Sequence, residues 1–307
     1  MKPKYNGKLV HRSMLFTAGH NPKFLKKAFE TNADAIIIDL EDAVPEHKKE
    51  EARQMSKKFI TQNLPDNRPL YFRINPLGTG LTMLDIDAVA CENVNGFVYP
   101  MAFSAKDIIA FDAQLSMKEK LLGLPPKYFD IIALFETPAS ILNLKEIASA
   151  SDRIVGLMFG SEDFLAEQEG SHGQNAKGIE LPRHLLAMTA KANNILAIDT
   201  PYVNVGDFEG LKKHIQQAKT FGFDGMVIMS PRELPIIMDK YTPNNEEINK
   251  ANEIVELSIQ ASKNNKGIII HNGIFVSPPT LKAAKKLKQR ADNIKKYDSF
   301  IANNKND

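Results

Sequence analysis

Five side chains stand where apolar runs of the sequence end: Asp39, Glu41, Arg73, Glu136 and Asp163. Each follows a short run of mostly apolar residues and precedes a stretch of helical period, which places it at a βα junction. In a parallel barrel such junctions converge on one face, and reactions take place there. A pair of carboxylates with waters and substrate oxygens suits octahedral Mg²⁺. An arginine beside them can grip an anionic substrate through its planar fork.

The local contexts sharpen this reading. IIIDLEDAV puts Asp39, Glu41 and Asp42 within four residues at the end of one apolar run. One of them can cap the helix that begins near Pro45, which leaves at least one to explain. Arg73, in FRINP, lies inside a run that otherwise reads as a buried strand, and a buried guanidinium costs several kcal/mol unless an anion pairs with it. An ion pair with Glu41 or Glu136 is one partner choice and a substrate anion is the other; the two are compatible. Glu136 in LFETP and Asp163 in FGSEDF end the fifth and sixth runs, with Glu162 as the alternative to Asp163 as a metal ligand.

The elements that must position these groups are eight strand-like runs: Ser13–Thr17, Ala35–Leu40, Leu70–Ile74, Gly96–Tyr99, Ile131–Phe135, Ile154–Phe159, Leu196–Ile198 and Met226–Met229. Most are continuously apolar, as strands buried on both faces are. Helical patterns separate them, among them Pro22–Glu30, Glu46–Ile60, Ser104–Leu115, Pro138–Ala150, Ile179–Ala192 and Phe208–Phe221. Eight β-then-α units predict an α/β fold, a closed (β/α)₈ TIM barrel over residues 1–240. An open doubly wound sheet is the alternative, but no Gly-rich phosphate fingerprint follows the first strand.

Two segments lie outside the repeat. Glu167–Gly178, rich in Gly and polar residues, reads as a mobile loop over the barrel mouth. Residues 241–307 read as a C-terminal helical extension that packs on a neighbouring subunit: a long helix to about Asn264, a short apolar run at Gly267–Ile270, a turn at His271-Asn272-Gly273, a basic helix and a frayed tail from Asn303.

Composition bounds the function classes. The chain has 307 residues, 43% hydrophobic and 25% charged, with a net charge of +2, so nucleic acid is not an implied partner. The lysines from Lys282 to Lys296 alternate with apolar residues at helical spacing and read as a solvated helix face. The single cysteine, Cys91, excludes an internal disulfide and reads as packing. Neither a signal-peptide core nor a run of roughly 20 apolar residues is present, so a cytoplasmic protein with no membrane partner is expected. His20, His47, His172 and His271 have no metal-site spacing, and Tyr99, Phe103 and Phe135 read as wall or core.

In order along the chain, RSMLFTAGHNPKFLKKAFETNADAIIIDLEDAV, RINPLGTGLTMLDIDAV, ALFETPASILNLKEIASASDRIVGLMFGSEDF, GIELPRHLLAMTAKANNILAIDTPYVNVGDFEGL, FGFDGMVIMSPREL and HNGIFVSPP resemble the citrate lyase beta subunit branch of the HpcH/HpaI aldolase superfamily, which includes citramalyl-CoA and malyl-CoA lyases. The resemblance covers nearly the whole chain. It implies a Mg²⁺-dependent carbon–carbon lyase acting on a hydroxy- or oxo-acid or its CoA thioester, assembled as a homotrimer or hexamer, with lyase-complex subunits as further partners. It implies Arg73, Glu136 and Glu41 as catalytic residues, Glu41 being the acid that orders the site, with Arg73, Glu136, Arg12 and Asp39 as substrate-binding residues and Glu136 and Asp163 as metal ligands. Two positions depart from the pattern. Ser277 stands where the lyases carry an aspartate that acts across the subunit interface, and Met101 follows Pro100 where a lysine is usual. Ser277 has no basicity of its own at neutral pH, so a catalytically weakened, ligand-binding barrel is the alternative reading.

Overall fold

The computed structural model describes residues 5, 7–62, 67–263, 269–271 and 274–303. These described residues fall into two compact units, one within 11–239 and one within 240–303 together with residues 5 and 7–10.

The first unit is a closed barrel of eight parallel strands: β1 (Ser13–Ala18), β2 (Ala35–Asp39), β3 (Leu70–Arg73), β4 (Gly96–Tyr99), β5 (Asp130–Phe135), β6 (Ile154–Phe159), β7 (Leu196–Asp199) and β8 (Gly225–Ile228), in sequence order, with β8 returning to pair with β1. All eight expected runs are strands, with ends within one residue of their expected positions. Side chains such as Ile36, Ile37, Phe72, Phe97, Ile132 and Met158 are fully buried, because the strands face side-chain layers inside and helices outside.

The helices are α1 (Pro22–Phe29), α2 (Lys49–Gln62), α3 (Thr82–Val89), α4 (Ala105–Leu122), α5 (Pro138–Leu142), α6 (Leu144–Ala148), α7 (Ser161–Glu167), α8 (Glu180–Ala192), α9 (Phe208–Phe221), α10 (Leu234–Tyr241), α11 (Asn245–Lys263) and α12 (Pro278–Asn303). Local chemistry sets their ends. Asn21 caps α1 by accepting from the backbone N–H groups of Lys23 and Phe24, with Pro22 at the first helical position. A capping box of Ser104 and Asp107 starts α4, and Gly123, at φ 67°, ends it in the left-handed conformation. The expected helix 138–150 is two short helices, because Asn143 leaves helical geometry at φ −99°, ψ 10°. The segment 167–178, expected to be a loop, ends in a 3₁₀ turn at Gln174–Ile179 in which Asn175 and Ala176 are left-handed.

On the flank of the barrel, Arg183 of α8 forks onto Asp199 at the end of β7 (Nε–Oδ1 2.9 Å, Nη2–Oδ2 2.5 Å), and His214 of α9 stands 3.1 Å from the same carboxylate. Both members of the Arg183–Asp199 pair are fully buried, and the pairing holds the Asp199 carboxyl down to about 2 against the opposing effect of burial.

The second unit contains α11, α12 and a two-stranded antiparallel sheet of β9 (Ile269–His271) and β10 (Ile274–Val276). Ala251, Ile254, Val276 and Ala284 form one part of its core. Val10, Ile294 and Tyr297 form another, with Tyr5 edge-on to Tyr297 at 5.3 Å between ring centres. The Asn272-Gly273 part of the expected turn, and the tail beyond Asn303, lie outside the described residues.

Candidate active site

The C-terminal ends of β2, β3 and β5 and the first turn of α7 carry a single guanidinium, Arg73, among the acids Asp39, Glu41, Asp42, Glu136, Glu162 and Asp163. Asp39 and Arg73 are register partners across β2 and β3. Arg73 donates from Nε to Asp39 Oδ1 at 2.8 Å and from Nη2 to Oδ2 at 2.6 Å. Asp39 also accepts from the backbone N–H of Glu41 (2.9 Å) and of Ala43 (3.0 Å). With 1% of its surface exposed and two donors on each oxygen, Asp39 is spent on protein partners. It positions Arg73.

The other side of the fork faces the acids that follow. Nη1 of Arg73 lies 3.0 Å from Glu41 Oε2 and 3.2 Å from Asp42 Oδ2, and the guanidinium sits 5.0 Å from the ring centre of Phe16. Hydrogen bonds take three of its five N–H donors. Burial opposes the charge on Arg73, but Asp39, Glu41 and Asp42 outweigh it and raise the pKa. The partner expected for this arginine, Glu41 or Glu136, is therefore secondary to Asp39.

Burial acts in the opposite sense on the two glutamates. It pushes Glu41 up to about 9, with Arg73 pulling down and Asp42, Glu136 and Asp39 pushing further up. Glu136, 2% exposed, rises to about 7: burial dominates, the Met101 N–H and Arg73 lower it, and Asp163 and Asp42 raise it. Asp163 is raised as well, by burial and Asp42. It belongs to the first turn of α7 rather than to the end of a strand, where the helix N-terminus favours an anion.

Several supports hold these groups. Glu136 Oε1 accepts from the backbone N–H of Met101 at 2.9 Å, and Met101 presents that N–H from a left-handed conformation, φ 49°. Glu136 Oε2 has no hydrogen-bond donor among the described residues, nor has the Asp163 carboxylate from any side chain. A Cβ on Gly160 would come within 2.8 Å of Glu136 Cβ and 3.0 Å of Oε2, so only glycine leaves room for this glutamate. Glu162 instead turns to His172 (2.7 Å) and Ser161 (3.0 Å), which leaves Asp163 as the uncommitted acid of the pair. Behind the acidic turn, Lys49 donates to the carbonyls of Leu40 and Glu41 and to Asn75 Oδ1, at 2.8 to 3.0 Å. Asn75 in turn donates to Asp85, which Arg53 holds at 2.8 Å.

Arg12 does not join this group. It immediately precedes β1, at the opposite end of the strand from the site, and is buried in a two-pronged pair with Asp34 (Nε–Oδ2 and Nη2–Oδ1, both 2.8 Å). The Met101 N–H, Gly160 and Lys49 were not singled out from the sequence as supports. Only the lysine, a charge inside an amphipathic helix, carried a signal of a buried role.

Among the described residues no three His, Cys, Asp or Glu side chains form a ready-made metal cage. The uncommitted oxygens of Glu136 and Asp163 do suit a hard cation that keeps waters and takes further oxygens from a ligand. With burial holding a proton on Glu41, the acids Asp39, Asp42, Glu136 and Asp163 share one guanidinium, and a divalent cation would offset the negative charge they carry when ionised.

The match to the HpcH/HpaI aldolase/citrate lyase family model extends over residues 12–231. Among curated relatives, the chain is 30% identical to the citrate lyase subunit beta of Haemophilus influenzae over 92% of this chain and 97% of that one. It is 27% identical to the mitochondrial citramalyl-CoA lyase of Mus musculus over 96% and 91%. The crystal structure of CitE from Mycobacterium tuberculosis in complex with magnesium, acetoacetate and coenzyme A superposes with a TM-score of 0.74 at 30% identity, covering 93% of this chain and 99% of that one. The match spans the barrel and its whole acidic mouth, and on that ground the chain belongs to the HpcH/HpaI aldolase/citrate lyase family.

Proposed function

We propose that the protein is a Mg²⁺-dependent carbon–carbon lyase of the citrate lyase beta subunit type, acting on a small hydroxy- or oxo-acid or its CoA thioester. The observation that carries this reading is the Asp39-clamped Arg73 beside the uncommitted oxygens of Glu136 and Asp163. The relatives' names point the same way: a citrate lyase subunit, a citramalyl-CoA lyase, and a neighbour bound to magnesium, acetoacetate and coenzyme A.

In this reading Glu136 and Asp163 hold the Mg²⁺. When bound, it supplies fixed positive charge where an enolate oxygen develops. Arg73 offers its remaining N–H donors to an anionic substrate oxygen, held in place by Asp39. Glu41, with a pKa of about 9, keeps its proton at neutral pH and can donate it in a hydrogen bond to a substrate oxygen. Cleavage removes a proton from the substrate hydroxyl, passes the electrons of the carbon–carbon bond to the departing fragment, and returns a proton to that fragment. We assign a cytoplasmic setting and a homotrimeric or hexameric assembly, with lyase-complex subunits as partners. Among the described residues no helix is long and apolar enough to cross a membrane.

The test is turnover of citramalyl-CoA and malyl-CoA by wild type and Glu136→Ala. Turnover by wild type that the substitution abolishes supports the lyase, and turnover that survives it removes the assignment. A second reading, a barrel that binds acids or acyl thioesters with little cleavage, is favoured by Ser277. Its Oγ is engaged with Thr280 Oγ1 at 3.0 Å at the start of α12. Ligand binding without turnover, with cleavage restored in Ser277→Asp, would select that reading.

A further inference from the structure

The connection between α7 and α8 concentrates strained backbone. Among the described residues six non-glycine residues have positive φ, and three of them, Glu169, Asn175 and Ala176, lie within 168–178. An L side chain is disfavoured in that conformation, so contacts with the surroundings must hold the segment. The Gly178 N–H donates to the His172 carbonyl at 2.9 Å and closes the segment on itself, with no room for a Cβ on Gly178 against the Ser171 carbonyl. Lys177 pairs with Glu180 at the surface, 2.7 Å apart. The side-chain bond that reaches back to α7 joins His172 Nε2 to Glu162 Oε1 at 2.7 Å. An ionised carboxylate only accepts, so Nε2 carries a proton whether the ring is neutral or charged, and the bond does not depend on its titration.

Glu162 is held from the barrel side as well. Its Oε1 also accepts from Ser161 Oγ at 3.0 Å; Ser161 Oγ accepts from Thr200 Oγ1 at 2.7 Å, and Thr200 Oγ1 accepts from the Ser161 N–H at 3.1 Å. Ser161 and Thr200 are each 1% exposed. Thr200 directly follows β7, so the first turn of α7 is fastened to the barrel through Ser161 and to the strained segment through Glu162. The next residue in that turn is Asp163, whose carboxylate has no side-chain partner among the described residues. Its place is set by these neighbours.

We propose that His172 is a positioning residue for Asp163: by holding Glu162 it fixes the first turn of α7, so that order in the 168–178 segment and divalent-cation binding at Asp163 favour each other. The inference rests on Asp163 as a metal ligand in the function proposed above. Groups that orient a metal ligand from behind change metal affinity by about ten- to a hundredfold. Coupling of this kind is reciprocal, so a cation that binds more tightly when the segment is fastened must also fasten it. A strained segment with one side-chain bond to α7 has little stability of its own, which makes the effect measurable.

The test is Mg²⁺ titration by calorimetry together with amide hydrogen exchange of residues 168–178 in EDTA and in Mg²⁺, on the full-length protein. The variants are Asp163→Asn, His172→Ala and His172→Gln, with circular dichroism as the check on the fold. His172→Gln keeps an N–H that can reach Glu162 and separates the hydrogen bond from the ring. Mg²⁺ is expected to slow exchange of the segment in wild type. His172→Ala is expected to weaken Mg²⁺ binding about tenfold and to remove that protection, and His172→Gln to restore both. Mg²⁺ bound through Asp163 with affinity and protection unchanged in His172→Ala overturns this inference alone. No Mg²⁺ binding by wild type, or binding untouched by Asp163→Asn, overturns the metal assignment and this inference with it.

Discussion

Asp39 holds Arg73 by two parallel hydrogen bonds, 2.8 and 2.6 Å, between residues in register on adjacent strands. The strand pairing sets the distance between the backbones and the fork sets the angle of the guanidinium, so the cation is preorganised before any ligand arrives. Asp39→Ala leaves a buried guanidinium short of its main partner. The expected cost is about 3 kcal/mol in urea denaturation, with turnover reduced by more than tenfold.

Gly160 tests the placement of Glu136. Gly160→Ala puts a methyl group 2.8 Å from Glu136 Cβ, which must move. Mg²⁺ affinity measured by titration is expected to fall at least tenfold in a variant that keeps its circular dichroism spectrum.

The two raised glutamates predict an uncommon pH dependence for the metal-free protein. Glu136 rises from 4.5 to about 7 and Glu41 from 4.5 to about 9. Between 4.5 and those values the native state binds more protons than the unfolded state, so stability from these groups is full below pH 4.5 and lost as pH rises through 7 and 9. Over pH 5 to 8 in EDTA, the Tm is expected to decline by several degrees once other titrations are matched in Glu41→Gln/Glu136→Gln. Mg²⁺ binding, which needs the Glu136 carboxylate ionised, is expected to weaken below about pH 7.

Met101 holds its N–H toward Glu136 from a left-handed backbone that a side chain disfavours. Met101→Gly is expected to keep that hydrogen bond and to stabilise the fold by up to about 1 kcal/mol, because glycine enters this region without strain. Loss of stability would show that the methionine side chain contributes more packing than its backbone costs.

The barrel was legible because continuously apolar runs recur eight times with helical patterns between them, and residues such as Ile36–Ile38 have only one environment that suits them. Arg73 and Glu136 were legible because a charge ending such a run must have a partner. The choice of partner was not: Asp39 and Glu41 lie two residues apart, and only the turn that brings the N–H groups of Glu41 and Ala43 onto Asp39 separates their roles. Arg12 stands apart from the acidic mouth because its motif lies beside β1 and its side chain answers Asp34, a residue of another loop. The supports, Met101 and Gly160, act through backbone conformation and missing volume, which residue type alone does not display.

The most direct test of the central claim is titration of oxaloacetate into wild type and Glu136→Gln, each with Mg²⁺ and with EDTA. The account predicts binding by wild type that requires Mg²⁺ and is lost in Glu136→Gln. Oxaloacetate binding of equal strength in EDTA, or binding undiminished by the substitution, would contradict it.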